Sequence, residues 1–88
     1  MKVLKFGASW CPGCEVMVPR WEEIEQENSW LETAMIKIDD HPEAINNYKI
    51  LGLPTFVFLN KEGEEIKRFS GIVEKDILVQ AILETKDK

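Results

Sequence analysis

Cys11 and Cys14 are the only cysteines in the 88-residue chain, and they lie within one Cys-x-x-Cys segment. A pair so close in sequence cannot staple distant parts of a small secreted domain, so its role is chemical. The segment Ala8-Ser9-Trp10-Cys11-Pro12-Gly13-Cys14 reads as the turn between a strand and the first turn of a helix. Thiolate is the reactive form of cysteine, and the unpaired N–H groups and positive dipole end at a helix start favour it. Cys11 should therefore have a lowered pKa, and its place at the loop–helix junction predicts exposure and first attack on a disulfide. Cys14, one helical turn further in, should face the core yet stay within reach of Cys11. That spacing permits a short-loop disulfide, so that Cys14 can displace a partner bound to Cys11. The same pair could instead be half of a zinc site or an inert buried dithiol. Zinc takes four ligands, and the remaining candidate, His41, would leave a site of two Cys, one His and an unidentified carboxylate. Beside Asp40 and before Pro42, His41 reads as an exposed loop or cap residue.

The elements around the dithiol follow from apolar spacing. Val3 to Ala8 predicts a strand covered on both faces, interrupted by Lys5. Cys14, Met17, Val18, Trp21 and Ile24 recur at spacings of three and four, the buried face of a helix from about Pro12 to Asn28, with a bend expected near Glu15 to Pro19. Trp21 and Trp30 are assigned to the core or the helix end. Ala34 to Ile38 predicts a second strand, followed by a helix opened by Pro42 that carries Ala44, Ile45 and Tyr48 inward. A crossover helix before each next strand implies parallel pairing. Gly52-Leu53-Pro54 ends that helix, Thr55 to Leu59 forms a third strand, and Asn60 to Gly63 turns into a fourth, Glu64 to Ser70, as an antiparallel hairpin. Beyond Gly71, the residues Ile77, Leu78, Ala81 and Ile82 mark a final helix, with Lys86 and Lys88 near its carboxyl end. The order is β-α-β-α-β-β-α, read as a single domain over residues 1–88.

Composition narrows the function classes. A net charge of −5 with eleven scattered Lys and Arg argues against nucleic acid as a partner. With 44% hydrophobic and 31% charged residues, there is no run of about 18 apolar residues to span a membrane. Met1 to Phe6 has a basic start and a brief apolar run without a following cleavage site, so it does not read as a signal peptide, and a cytoplasmic protein is expected. Glu22, Glu23, Glu25 and Glu27 read as a solvated helix face.

On Ser9 to Cys14, Pro19, Gly52-Leu53-Pro54-Thr55 and Gly71, taken in order along nearly the whole chain, the sequence resembles the thioredoxin family. The family's active-site segment is Trp-Cys-Gly-Pro-Cys, here with the middle pair reversed as Pro12-Gly13. The resemblance implies an α/β protein of the minimal thioredoxin fold, a four-stranded mixed sheet in the order 2-1-3-4 flanked by three helices. It implies a thiol-disulfide oxidoreductase active in electron transport, reducing protein disulfides with Cys11 as nucleophile and Cys14 as resolving cysteine, with no cofactor. Oxidised proteins would be its substrates, a thioredoxin-reductase-like protein or a small thiol would recharge it, and it is expected to act as a monomer. The substrate surface would comprise Trp10, Leu53, Pro54 and Gly71, with Pro12 and Gly13 of the dithiol turn. Pro54 should follow a cis peptide bond opposite that turn.

Three departures accompany the likeness. The family's usual amino-terminal strand and helix have no counterpart. Lys5 stands where thioredoxins usually carry an acid beneath the second cysteine, so it is a candidate modulator, either buried under Cys14 or snorkelling to solvent. Pro12 directly after Cys11 is closer to glutaredoxins and periplasmic oxidants, which points to a shifted potential. No tyrosine in the dithiol motif and no Gly-Cys-Asp-type loop in Phe69 to Asp76 support glutathione as partner. The rival readings are a redox-inactive binding module on the same fold and a metal or iron-sulfur carrier.

Overall fold

The computed structural model describes residues 1–87. In chain order the elements are β1 (Lys2–Gly7), α1 (Pro12–Glu27), β2 (Glu32–Lys37), α2 (Ala44–Asn47), β3 (Thr55–Leu59), β4 (Glu65–Ser70) and α3 (Lys75–Thr85). The four strands form one mixed sheet in the order β2-β1-β3-β4, as expected. β1 pairs parallel with β2 and antiparallel with β3, which pairs antiparallel with β4.

The antiparallel β1–β3 pairing corrects the expectation of parallel strands after each helix. α2 has 4 residues, about 6 Å of helix at 1.5 Å per residue. Returning the chain along a strand of 6 residues such as β2 would need about 20 Å at 3.3 Å per residue. With no long crossover helix, the chain between β2 and β3 turns near the end where β2 stops, and β3 runs back antiparallel to β1. The same brevity corrects the burial expected for α2. Ala44 is buried, but Ile45 and Tyr48 are partly exposed, although the Tyr48 ring still packs on Phe6 at 4.9 Å between centroids.

Alternation along the two central strands sends side chains to two cores. Val3, Phe56 and Phe58 join Met17, Trp21 and Ile24 of α1 and Leu78, Ala81 and Ile82 of α3. Leu4, Phe6 and Val57 face the other way, with Ala44 and Ile50. α1 runs through Pro19 without interruption and buries Cys14, Met17, Trp21 and Ile24. Val18 and Ile77, expected on buried faces, are about half exposed because each lies at the margin of its helix's apolar stripe. Lys86 caps α3 through its backbone N–H, and Lys88 lies outside the described residues.

Candidate functional site

The dithiol sits where β1 hands over to α1. Cys11 is the N-cap of α1 in extended conformation, and Pro12 follows at the start of the helix, where a missing N–H leaves no bond unmade. Cys11 and Cys14 are joined as a disulfide with their Cα atoms 5.3 Å apart. The Cys14 N–H donates to Cys11 Sγ at 3.2 Å, so the N-cap is a sulfur and the helix start points a donor at it. Exposure does not distinguish the two residues, contrary to expectation: Cys11 is 5% exposed and Cys14 7%. Both join Ala8 in one buried cluster, against which Ile38 and Leu53 pack. What separates them is electrostatic, since one sulfur accepts the helix N–H while the other lies against the sheet. An ideal Cβ on Gly7 would stand 3.1 Å from Cys14 Sγ, so the absent side chain at this strand position makes room for the second cysteine.

Two loops come against this turn. The Leu53–Pro54 peptide bond is cis, and Pro54 Cδ lies 3.2 Å from an ideal Cβ on Gly13. Thr55 Oγ1 donates to the Gly52 carbonyl at 2.6 Å, closing the turn before β3. Gly71, at φ 86°, donates its N–H to the Pro54 carbonyl at 2.7 Å. The next loop residues are tied to α1, with Arg20 donating to the Val73 carbonyl at 2.9 Å. On the far side, Arg68 of β4 donates to the Tyr48 and Lys49 carbonyls and pairs with Glu65.

The result is a groove of about 460 Å³ beside Cys11, lined by Trp10, Pro12, Gly13, Leu53, Leu51 and Ile45 among others. Trp10, Pro12, Gly13 and Leu53 are thus brought together with Cys11, whereas Pro54 packs against Gly13 and lines the cleft behind Cys14, and Gly71 is joined to Pro54 by its hydrogen bond without lining the groove. Trp10 is 67% exposed at the loop tip. Sequence reasoning missed Leu51, which is 99% exposed, and Ile72. An apolar residue beside each loop glycine was the available signal. It also missed Asp39, whose carboxylate accepts from the Ser9 N–H at 3.1 Å and from the Ser9 hydroxyl. These two bonds, the hydroxyl's first, hold the Asp39 carboxyl below the ordinary value and clamp the dithiol loop to the end of β2. His41 is exposed and pairs with Glu43 at 3.3 Å. No cluster of three metal-ligating side chains exists among the described residues.

Behind Cys14 lies a second cleft, of about 360 Å³, between the sheet and α1. Lys5 reaches into it from β1. Its ammonium pairs with Glu25 at 2.7 Å and lies 5.8 Å from the centre of the Trp21 ring. Its side chain is 16% exposed, so it neither sits bare beneath Cys14 nor snorkels freely to water. The acidic helix face is therefore not simply solvated, because Glu25 holds Lys5 and both Glu23 and Glu27 hold Lys75 of α3.

The thioredoxin family profile matches residues 1–84. The chain belongs to the thioredoxin family. Its thioredoxin relatives include that of Chlamydia caviae, 35% identical over 80 residues that cover 91% of this chain and 78% of the relative. Another, from Mycobacterium bovis, is 32% identical over 91% of this chain and 69% of its own length. Among solved structures, the thioredoxin of Fasciola hepatica superposes with a TM-score of 0.86 at 34% identity, covering 96% of this chain and 79% of that one. Thioredoxin NaTrxh from Nicotiana alata gives 0.87 at 28% identity, covering 96% and 71%. With this membership and a cysteine pair in disulfide-forming geometry, this thioredoxin-family chain is a thiol-disulfide oxidoreductase of the disulfide-reductase kind, and the redox-inactive module is not favoured. No helix among the described residues is long and apolar enough to cross a membrane.

Proposed function

We propose that this protein reduces disulfides in other proteins with Cys11 as the attacking and Cys14 as the resolving sulfur. The observation that carries the assignment is the Cys14 N–H donated to Cys11 Sγ at the start of α1. A donor and a positive dipole end at one sulfur stabilise negative charge there, both when it attacks and when it departs. Cys11 thiolate attacks a client disulfide, one client sulfur leaves with the bonding electrons, and Cys11 is held as a mixed disulfide. Cys14 then attacks Cys11 Sγ, the second client sulfur leaves, and the intramolecular disulfide forms, so two electrons pass to the client. Trp10, Pro12, Gly13 and Leu53 line the groove from which a client would approach Cys11, and Pro54, packed against Gly13 and bonded to Gly71, is assigned with Gly71 to the same substrate surface. Lys5 modulates the resolving sulfur from behind.

In this reading the protein works in cytoplasmic electron transport as a monomer, with oxidised proteins as clients and a thioredoxin-reductase-like protein or a small thiol as reductant. The test mixes Cys14→Ser and Cys11→Ser variants separately with an oxidised protein substrate and compares adducts on a nonreducing gel. Cys14→Ser should accumulate a covalent complex and Cys11→Ser little. Equal trapping by both would overturn the assignment.

A further inference from the structure

The cleft behind Cys14 carries four charged side chains that the reaction described above does not fully use: Lys5 from β1, Glu22 and Glu25 from α1, and Lys37 from β2. Lys5 is the least exposed member of its ion pair, at 16% against 33% for Glu25. Position along the elements decides where its charge rests. Glu25 lies eleven residues along α1 from Cys14, both within the one helix, which is about 16 Å of axial rise. Lys5 lies two residues before Gly7 on β1, about 7 Å along the strand, and Gly7 is the position against which Cys14 Sγ packs. The Lys5 backbone thus stands between the two ends of the cleft, and its flexible four-carbon stem can serve either. With the two cysteines joined as a disulfide, the ammonium is paired with Glu25.

We propose that Glu25 is a positioning residue for the dithiol reaction: it holds the Lys5 ammonium at the far end of the cleft and yields it to the Cys14 sulfur when that sulfur becomes a thiolate. The inference rests on Cys14 being the resolving cysteine. In the resolving step the Cys14 thiol loses its proton to solvent and the thiolate attacks Cys11 Sγ. The new sulfur–sulfur bond forms as the client sulfur departs with its electron pair and takes a proton from solvent. Lys5 gives up no proton; it supplies a counter-charge to Cys14 for as long as the thiolate lasts. Attraction to a nearby cation favours thiolate over thiol. Glu25 sets how much of that help is available by competing for the same ammonium, while Glu22 and Lys37 stand on the cleft without contacting the pair at hydrogen-bond distance.

The experiment uses the reduced full chain and the aromatic disulfide 5,5′-dithiobis(2-nitrobenzoate). One nitrothiobenzoate leaves when the mixed disulfide forms and the second when it is resolved, so rapid mixing over a range of pH reads the two steps separately. Glu25→Gln should speed the second release about tenfold on the acid side of its pH profile, the change in thiolate fraction that follows a one-unit shift of the inflection. Lys5→Met should slow it and move the inflection up. The double variant should match Lys5→Met, because Glu25 acts only through Lys5, and Glu25→Asp and Lys5→Arg should each restore parent behaviour. A Glu25→Gln effect that persists without Lys5, or slowing by both single variants, would overturn the inference. A purely structural role would lower thermal stability and leave the pH profile in place. Peptide mapping of the acid-quenched intermediate separates the two readings: label on Cys11 retains the resolver assignment, and label on Cys14 would remove it and the inference with it.

Discussion

Gly71 and Gly63 form a matched pair whose substitution separates folding from function. Both adopt positive φ, 86° and 81°, and an ideal Cβ at either would meet nothing within 4 Å. An added methyl therefore causes no clash, and its cost is that of forcing an L-residue into the left-handed region, about 1–2 kcal/mol. For a domain of this size each kcal/mol lowers Tm by about 4–8 °C, so Gly71→Ala and Gly63→Ala should both fall by roughly 4–16 °C. Their surroundings differ. Gly63 closes the β3–β4 hairpin by donating to the Asn60 carbonyl at 3.1 Å, whereas Gly71 donates to the Pro54 carbonyl at 2.7 Å beside the dithiol. If the backbone relaxes to relieve the φ strain, the bond most exposed to loss at position 71 is the one that holds the Pro54 loop. A neutral hydrogen bond contributes about 0.5–1.5 kcal/mol net. Realised as misplacement of Pro54 in the transition state, that loss lowers kcat/KM by about two- to tenfold. The assay is turnover of a protein disulfide, run well below both melting temperatures and paired with thermal unfolding. Equal kcat/KM for the two variants, despite equal losses in Tm, would refute the argument that the Gly71–Pro54 bond positions the site.

The Asp39 carboxyl is held below its ordinary 3.8 chiefly by the Ser9 hydroxyl and then by the Ser9 N–H. The clamp therefore adds stability above that value and loses it as the pH falls through the lower folded value. Asp39→Asn should accordingly be less stable than the parent near neutrality, with the two denaturation curves converging in acid; a gap that stays constant with pH would count against the clamp. Leu78→Ala, at a side chain with no exposed surface, should cost about 2–5 kcal/mol in urea unfolding. The control Leu83→Ala, at a residue 51% exposed on the same helix, should stay within about 0.5 kcal/mol.

The strands and long helices were legible in the sequence because their signals are local. The period of Met17, Trp21 and Ile24 defines the buried face of α1, and the run Thr55 to Leu59 between turn residues marks β3, which the structure buries on both sides. Cys11 and Cys14 announced their chemistry by type and spacing, and the glycine and proline positions marked the loops that meet them. Where the reading failed, the missing information was distance. α2 looked like a crossover helix, but it has only 4 residues, and β3 runs antiparallel to β1. Val18 and Ile77 fit the helical period and still lie at the edge of it, where half the side chain meets solvent.

The sequence by itself thus determined the redox pair, its place at a helix start, the order of the elements and the loops that converge on the sulfurs, because each depends on residue type within a few positions of the chain. Only the tertiary structure decided how the two sulfurs differ and what stands behind them. Exposure was the expected distinction, yet both cysteines are buried in one cluster with Ala8, and the asymmetry lies in the N–H that Cys14 donates to Cys11. Lys5 could have pointed to Cys14 or to water. Its pairing with Glu25, twenty residues away in sequence, follows from the packing of α1 across β1, and no local pattern encodes which residue of a helix will face a given residue of a strand once the two are folded together.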